Sequence, residues 1–173
     1  MRSVRLDYDY SILPANTYIP FNPNPNFVGR QAELVELFLM MIGNLNNIGI
    51  NLVGIVGMGG IGKSQLVIEL AYRFSFVFPD GIYWVQAADS KQWLKQFVVL
   101  AKEYLQLKIS NSQDADRQYL LAFQKYCKEH PRSLVILDNV EDPNCLNDPQ
   151  TLFSDSSANV MAPQMQNLDV EYV

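Results

Sequence analysis

Hydrophobic positions along this chain fall into short blocks, and their spacing switches between two periods. Leu34, Leu37, Phe38 and Met41 follow an i, i+3, i+4, i+7 pattern and predict a helix that ends near Gly43. Ile50 to Val56 is short, mostly apolar and branched, as a strand buried on both faces should be. Leu66, Val67, Leu70, Ala71 and Phe74 return to helical spacing. Phe78-Pro79-Asp80-Gly81 reads as a turn, and Ile82 to Ala87 as a strand whose Trp84 packs in the core. Asp89 and Gln92 have the spacing of a capping box, ahead of a helix burying Leu94, Phe97, Val98, Ala101 and Leu105. Tyr119, Ala122, Phe123 and Tyr126 mark a further helix that stops at His130-Pro131. Leu134 to Leu137 then form an apolar strand that ends in Asp138. Strands alternating with helices define an α/β fold with a mostly parallel central sheet and helices on both faces.

The flanks carry less pattern. Residues 1–19 lack a clean periodicity, and Pro20 to Asn26 holds three prolines and three asparagines, which exclude a helix and favour an extended lead-in. Residues 107–115 are polar and turn-like. Beyond Asp142 come Pro143, Pro149 and Pro163 among scattered polar residues, and Ala158 to Met161 makes a poor strand candidate. The chain shows no internal repeat.

Between the first strand and the second helix stands Gly57-Met58-Gly59-Gly60-Ile61-Gly62-Lys63-Ser64, a complete G-x-x-x-x-G-K-[ST] phosphate-binding loop. The chemistry requires these residue types. Phosphate oxygens take several backbone N–H donors converging on one point, and glycines leave that approach bare. Lys63 supplies a point charge for the β- and γ-phosphates, and the Ser64 hydroxyl a ligand for Mg²⁺. A helix starting near Gly62 aims its positive end at the same oxygens, with Gln65 in its first turn. Asp138 closes a buried strand, which would deliver its carboxylate to the carboxyl edge of a parallel sheet, where phosphate-loop proteins hold Mg²⁺. Asp138 and Glu141 are the candidate catalytic acids, with Ser64 and Asp138 the candidate metal ligands.

At 173 residues and 49% apolar, the chain is of single-domain size with enough material for a core. A net charge of −5 argues against a nucleic-acid surface. Cys127 and Cys145 read as free thiols of a reducing compartment, and His130 as a solvated residue without a role. The N-terminus has no apolar signal region, and the run from Leu37 to Ile42 is too short to span a bilayer, so no membrane association and a cytoplasmic location are expected.

Three features stand in a fixed order: Phe27-Val28-Gly29-Arg30, the phosphate loop, and Leu134-Val135-Ile136-Leu137-Asp138-Asn139. Together they resemble the NB-ARC nucleotide-binding domain of the STAND signalling NTPases. That group includes plant disease-resistance proteins, apoptosome-forming proteins and bacterial regulators. Gly81 to Val85 is similar to the second strand of bacterial members. The resemblance implies a P-loop NTPase-type three-layer sandwich, incomplete at its C-terminal end. The implied division is a leader over 1–25, a partial NB-ARC-like domain over 26–145 and an irregular tail over 146–173. It implies that Val28, Gly29 and Arg30 lie along adenine and ribose, that residues 57–65 hold the phosphates of ATP or ADP, and that Asp138 holds Mg²⁺. It also implies a further strand between the strand of Asp138 and that of the phosphate loop, so that a chain lacking it has a gap at the sheet centre.

Asn139 stands where the family often has a second acid, no sensor arginine follows, and neither a helical domain nor a winged helix is visible in 143–173. Gly29-Arg30 favours a regulatory ADP/ATP switch, and these departures lead to an expectation of slow or no hydrolysis; the expected partners are an adenine nucleotide and a full-length homologue or a second copy. Two other readings use the same residues: a P-loop ATPase of another class, and a non-catalytic truncated remnant acting by protein–protein contact.

Overall fold

The computed structural model describes residues 13–42, 51–54, 62–87, 90–110, 114–139 and 160–161. Helix α1 (Gln31–Ile42) leads to strand β1 (Asn51–Gly54), helix α2 (Lys63–Arg73) and a 3₁₀ turn over Ser75–Val77. Strand β2 (Gly81–Gln86), helix α3 (Ser90–Val99) with a π-helical turn over Leu100–Tyr104, helix α4 (Ala115–Glu129), strand β3 (Ser133–Asp138) and strand β4 (Val160–Met161) complete the order.

The sheet runs β2-β3-β1-β4, and the described pairs are all parallel. Strand β3 pairs residue for residue with β1 from Asn51–Leu134 to Gly54–Leu137, and with β2 from Gly81–Ser133 to Gln86–Asp138. The expected gap at the sheet centre is therefore absent. The strand of Asp138 lies directly beside that of the phosphate loop, and the extra strand, β4, takes the outer edge of β1. The physical reason is that β1 and β3 satisfy each other's backbone groups along the whole of β1, from Asn51 to Gly54, without an intermediary. Val160–Met161, read from sequence as a poor candidate, is this edge strand, drawn from the tail expected to be irregular. A two-residue strand carries too little periodicity to be seen; only the open edge of β1 makes it one.

Period-two alternation divides the core. On one face Tyr83, Val85, Val135 and Leu137 pack against Trp93, Phe97, Leu100, Ala101, Leu120, Phe123 and Cys127 of α3, its π turn and α4. On the other, Ile82, Trp84, Leu134 and Ile136 pack against α1 and α2 through Leu34, Leu37, Met41, Leu66, Val67, Ile68, Leu70 and Ala71. Three layers result, as expected. The buried face of α3 differs from the expected one by about one position. Trp93 and Leu100 point inward, and Leu94 and Val98 are only half-buried. Trp93 packs edge-on to Phe97 at 5.6 Å, and the larger ring takes the core position. Leu105 donates its N–H to the Leu100 carbonyl at 2.9 Å, which closes the π turn.

Helix α4 is capped at both ends. Asp114 accepts from the Arg117 N–H at 3.3 Å, and the His130 N–H donates to the Tyr126 carbonyl at 2.9 Å. His130 is thus half-buried rather than solvated: its Nδ1 lies 2.9 Å from the same carbonyl and its ring stacks on Tyr126 at 4.0 Å. Burial pushes the Cys127 thiol well above the usual range, so it is an inert core group. Cys145 and the capping residues Asp89 and Gln92 lie outside the described residues or side chains.

The lead-in is more integrated than a leader. Tyr18 donates to the Ile82 carbonyl and accepts from the Trp84 N–H, both at 2.8 Å, and so extends the sheet beyond β2 by one bridge. Beside it Gly81 has φ 129°, and an added Cβ would lie 2.5 Å from the Asn16 carbonyl oxygen. Gly81→Ala combines a strained φ with a clash against fixed backbone, each costing about 1–3 kcal/mol. The expected loss is about 3 kcal/mol in urea unfolding; a loss under about 1 kcal/mol contradicts this packing.

Candidate functional site

Gly62 precedes α2 in the left-handed region, φ 79°, where glycine avoids the Cβ penalty. Lys63 and Ser64 are the first two residues of the helix, at the end where the backbone dipole is positive. Because β1 and β3 are neighbours in register, the carboxyl end of β3 lies beside this helix start. The Ser64 hydroxyl donates to Asp138 Oδ1 at 3.0 Å across 74 residues of sequence.

The second carboxylate oxygen has its own partner. Gln86, the register mate of Asp138 at the end of β2, donates its side-chain N–H to Asp138 Oδ2 at 3.2 Å. Gln86 is itself held by Gln96 of α3, whose amide accepts from the Gln86 N–H and donates to the Gln86 carbonyl, both at 2.9 Å. The Gln96 amide thereby covers backbone groups on the outer edge of β2, as Tyr18 does further back. The Ala87 N–H reaches the Asp138 carbonyl at 2.7 Å. Asp138 is thus fixed at both oxygens and along its backbone. Asn139 leaves the strand at φ 62°, a region that Asn tolerates better than most residues.

Arg30 reaches the same helix start from the other side. Its Nη1 donates to the Gly62 carbonyl at 3.3 Å, and its Nε pairs with Glu33 at 3.3 Å. The preceding residues behave differently. Val28 is 79% exposed and Gly29 turns at φ 86°.

The structure therefore gathers Arg30, Gly62, Lys63, Ser64 and Asp138 at one end of the sheet. Gln65 is exposed on the first turn of α2, and Gly57 to Ile61 and Glu141 lie outside the described residues. Sequence reasoning missed Gln86 and Gln96. Gln86 carried a signal of the same kind as Asp138, a polar residue ending an apolar strand. Gln96 carried none, since its role depends on how α3 sits over the sheet edge. The donor set fits a hard divalent cation: Ser64 Oγ and Asp138 Oδ1 are two oxygens already within hydrogen-bond distance. Among the described residues no group of three or more His, Cys, Asp and Glu gathers to form another metal site. No helix among them is long and apolar enough to cross a membrane.

A parallel sheet between two helical layers, with a strand–loop–helix phosphate motif beside an acid-ended strand, defines a P-loop NTPase-type α/β domain. A family model of the NB-ARC domain matches residues 35–161, and the chain belongs to that nucleotide-binding family. It is also 26% identical over 129 residues to a "nucleotide-binding leucine-rich repeat (NLR)-like protein" of Hyaloscypha variabilis. That match covers 74% of this chain and 13% of the relative, so the chain spans a small part of that relative's length. No solved structure matches the chain.

Proposed function

We propose that this chain is the nucleotide-binding domain of a STAND-type regulatory switch, which retains ADP or ATP with Mg²⁺ and hydrolyses it slowly or not at all. The observation that carries the reading is the 3.0 Å contact of Ser64 Oγ with Asp138 Oδ1 at the N-terminus of α2. It brings together, from distant parts of the sequence, two oxygens that would hold Mg²⁺ beside the phosphates. Lys63 and the α2 N-terminus, with residues 57–62, would bind the phosphates. Ser64 and Asp138 would hold Mg²⁺, which neutralises phosphate charge when bound. Gln86 keeps Asp138 Oδ2 engaged, so that Oδ1 remains turned to Ser64. Val28, Gly29 and Arg30 would border the nucleoside, and Arg30 adds positive charge beside Gly62. The similar NLR-like protein, described as nucleotide-binding, supports nucleotide as the ligand. The partners proposed beyond nucleotide are a full-length homologue or a second copy of this chain.

Slow turnover follows from what surrounds the site. Arg132 lies at the opposite end of β3, about 20 Å from Asp138 at strand rise. A charge-neutralising arginine contributes about 10³–10⁵ in rate in related chemistry. Asn139 is no carboxylate base. Steady-state phosphate release from the pure chain is expected well below about 1 s⁻¹. Faster turnover that disappears in Lys63→Ala identifies an ordinary ATPase instead. Nucleotide extracted from the purified protein is expected to be ADP.

A further inference from the structure

Resting on the proposed nucleotide site, we infer that Glu69 is a positioning residue that sets the nucleoside-end segment from the far side of α2. Among the described residues Glu69 alone of the carboxylates is fully buried, at 0% exposure. A buried carboxylate is costly unless both oxygens are paired, and an apolar residue would fill such a place at least as stably. Here both oxygens are paired, and the partners show what the charge achieves. Oε1 accepts the backbone N–H of Asn24 at 3.0 Å. Oε2 pairs with Arg73 Nε at 2.9 Å, one turn further along α2.

Arg73 continues the tie. Its guanidinium lies 5.3 Å from the centroid of the Phe27 ring, within cation–π reach. The Tyr72 hydroxyl donates to the Phe21 carbonyl at 2.9 Å. Residues 69, 72 and 73 share one face of the helix by i, i+3, i+4 spacing. Asn24 itself forms a tight turn: its side chain accepts from the Asn26 N–H and its carbonyl from the Phe27 N–H, both at 3.0 Å. The segment from Phe21 to Arg30 therefore runs back along α2, from Tyr72 and Arg73 near its C-terminus to Gly62 at its start. The helix whose N-terminus faces the phosphates is also the rail on which the Val28-Gly29-Arg30 segment is fastened. Glu69 anchors that rail about 10 Å from Gly62, at 1.5 Å per residue. It touches no nucleotide; it acts through the turn at Asn24.

The test separates the two ends of the ligand. ADP and inorganic pyrophosphate are titrated by calorimetry into wild type, Glu69→Leu, Glu69→Gln, the double variant Glu69→Leu with Arg73→Met, and Lys63→Ala. Glu69→Leu fills the space but releases Asn24. It is expected to weaken ADP by about tenfold, with pyrophosphate within about twofold of wild type. Glu69→Gln keeps an acceptor for the Asn24 N–H and is expected to recover most of the ADP affinity. Arg73→Met is combined with Glu69→Leu, because alone it would leave the buried Glu69 carboxylate with one oxygen unpaired; the double variant removes both charges, is expected to move the ADP-to-pyrophosphate ratio as Glu69→Leu does, and decides the matter should Glu69→Leu alone not fold. An unchanged ratio in the variants that fold, or equal loss of both ligands, reduces Glu69 to a structural residue and overturns the inference. Lys63→Ala distinguishes the deeper failure: if it weakens neither ligand, the site reading falls, and this inference with it.

Discussion

Lys63→Ala should weaken ADP binding by about 10- to 100-fold and ATP binding by at least as much, with little change in folding. The range is that of a charge-assisted hydrogen bond, about 1.5–3 kcal/mol, converted at 1.4 kcal/mol per tenfold. Lys63 is half-buried and opens α2, so the variant leaves the helix and its core face in place. Alanine is also the strongest helix former, and a cation at a helix N-terminus opposes the dipole. The variant should therefore be as stable as wild type in the absence of ligand. Thermal shifts without and with excess ADP separate the two effects, because a ligand stabilises only the fold that binds it. Equal calorimetric affinity in the two proteins is incompatible with a phosphate site here.

Removal of Asp138 should act on Mg²⁺ rather than on the nucleotide alone. In wild type, Mg²⁺ is expected to tighten ATP by on the order of tenfold, ~1.4 kcal/mol; in Asp138→Ala that gain should nearly vanish. Alanine, however, also strips partners from Ser64 and Gln86. Asp138→Asn separates the roles. It keeps a carbonyl oxygen for the Ser64 hydroxyl but removes the charge and offers only a weak neutral donor for Mg²⁺. The same loss of Mg²⁺ dependence in Asn and Ala variants assigns the effect to charge. A Mg²⁺ gain that survives in both places the ion elsewhere.

The site was legible where its chemistry is local. Gly62, Lys63 and Ser64 lie in one motif, and Asp138 ends one apolar run, so spacing and residue type were enough. Gln86 was legible in principle, since it ends β2 as Asp138 ends β3. Gln96 and Glu69 were not. Each reads as a polar residue on a helix, and each acts through a backbone group far off in sequence or on another element: the Gln86 peptide groups for one and the Asn24 N–H for the other. Glu69 sits among Leu66, Val67, Ile68, Leu70 and Ala71, all buried, and a helical wheel alone does not say that its carboxylate is buried too.

What the sequence by itself determined is the order and kind of the elements, the phosphate motif and the acid that ends β3. These follow from local geometry: 3.6- and 2-residue periods, glycine at positive φ, and the donor and acceptor inventory of single side chains. What only the tertiary structure decided is which strands are neighbours. Period-two alternation in β1, β2 and β3 is the same in any sheet order, so the sequence is consistent with a strand between β1 and β3 as well as with direct pairing. The structure pairs them directly, gives Val160–Met161 the outer edge and brings Tyr18 to the far side. Strand order is settled by the sum of long-range backbone hydrogen bonds and by helix packing on both faces, and no single segment carries that information. The 3.0 Å contact between Ser64 and Asp138 exists because of that order.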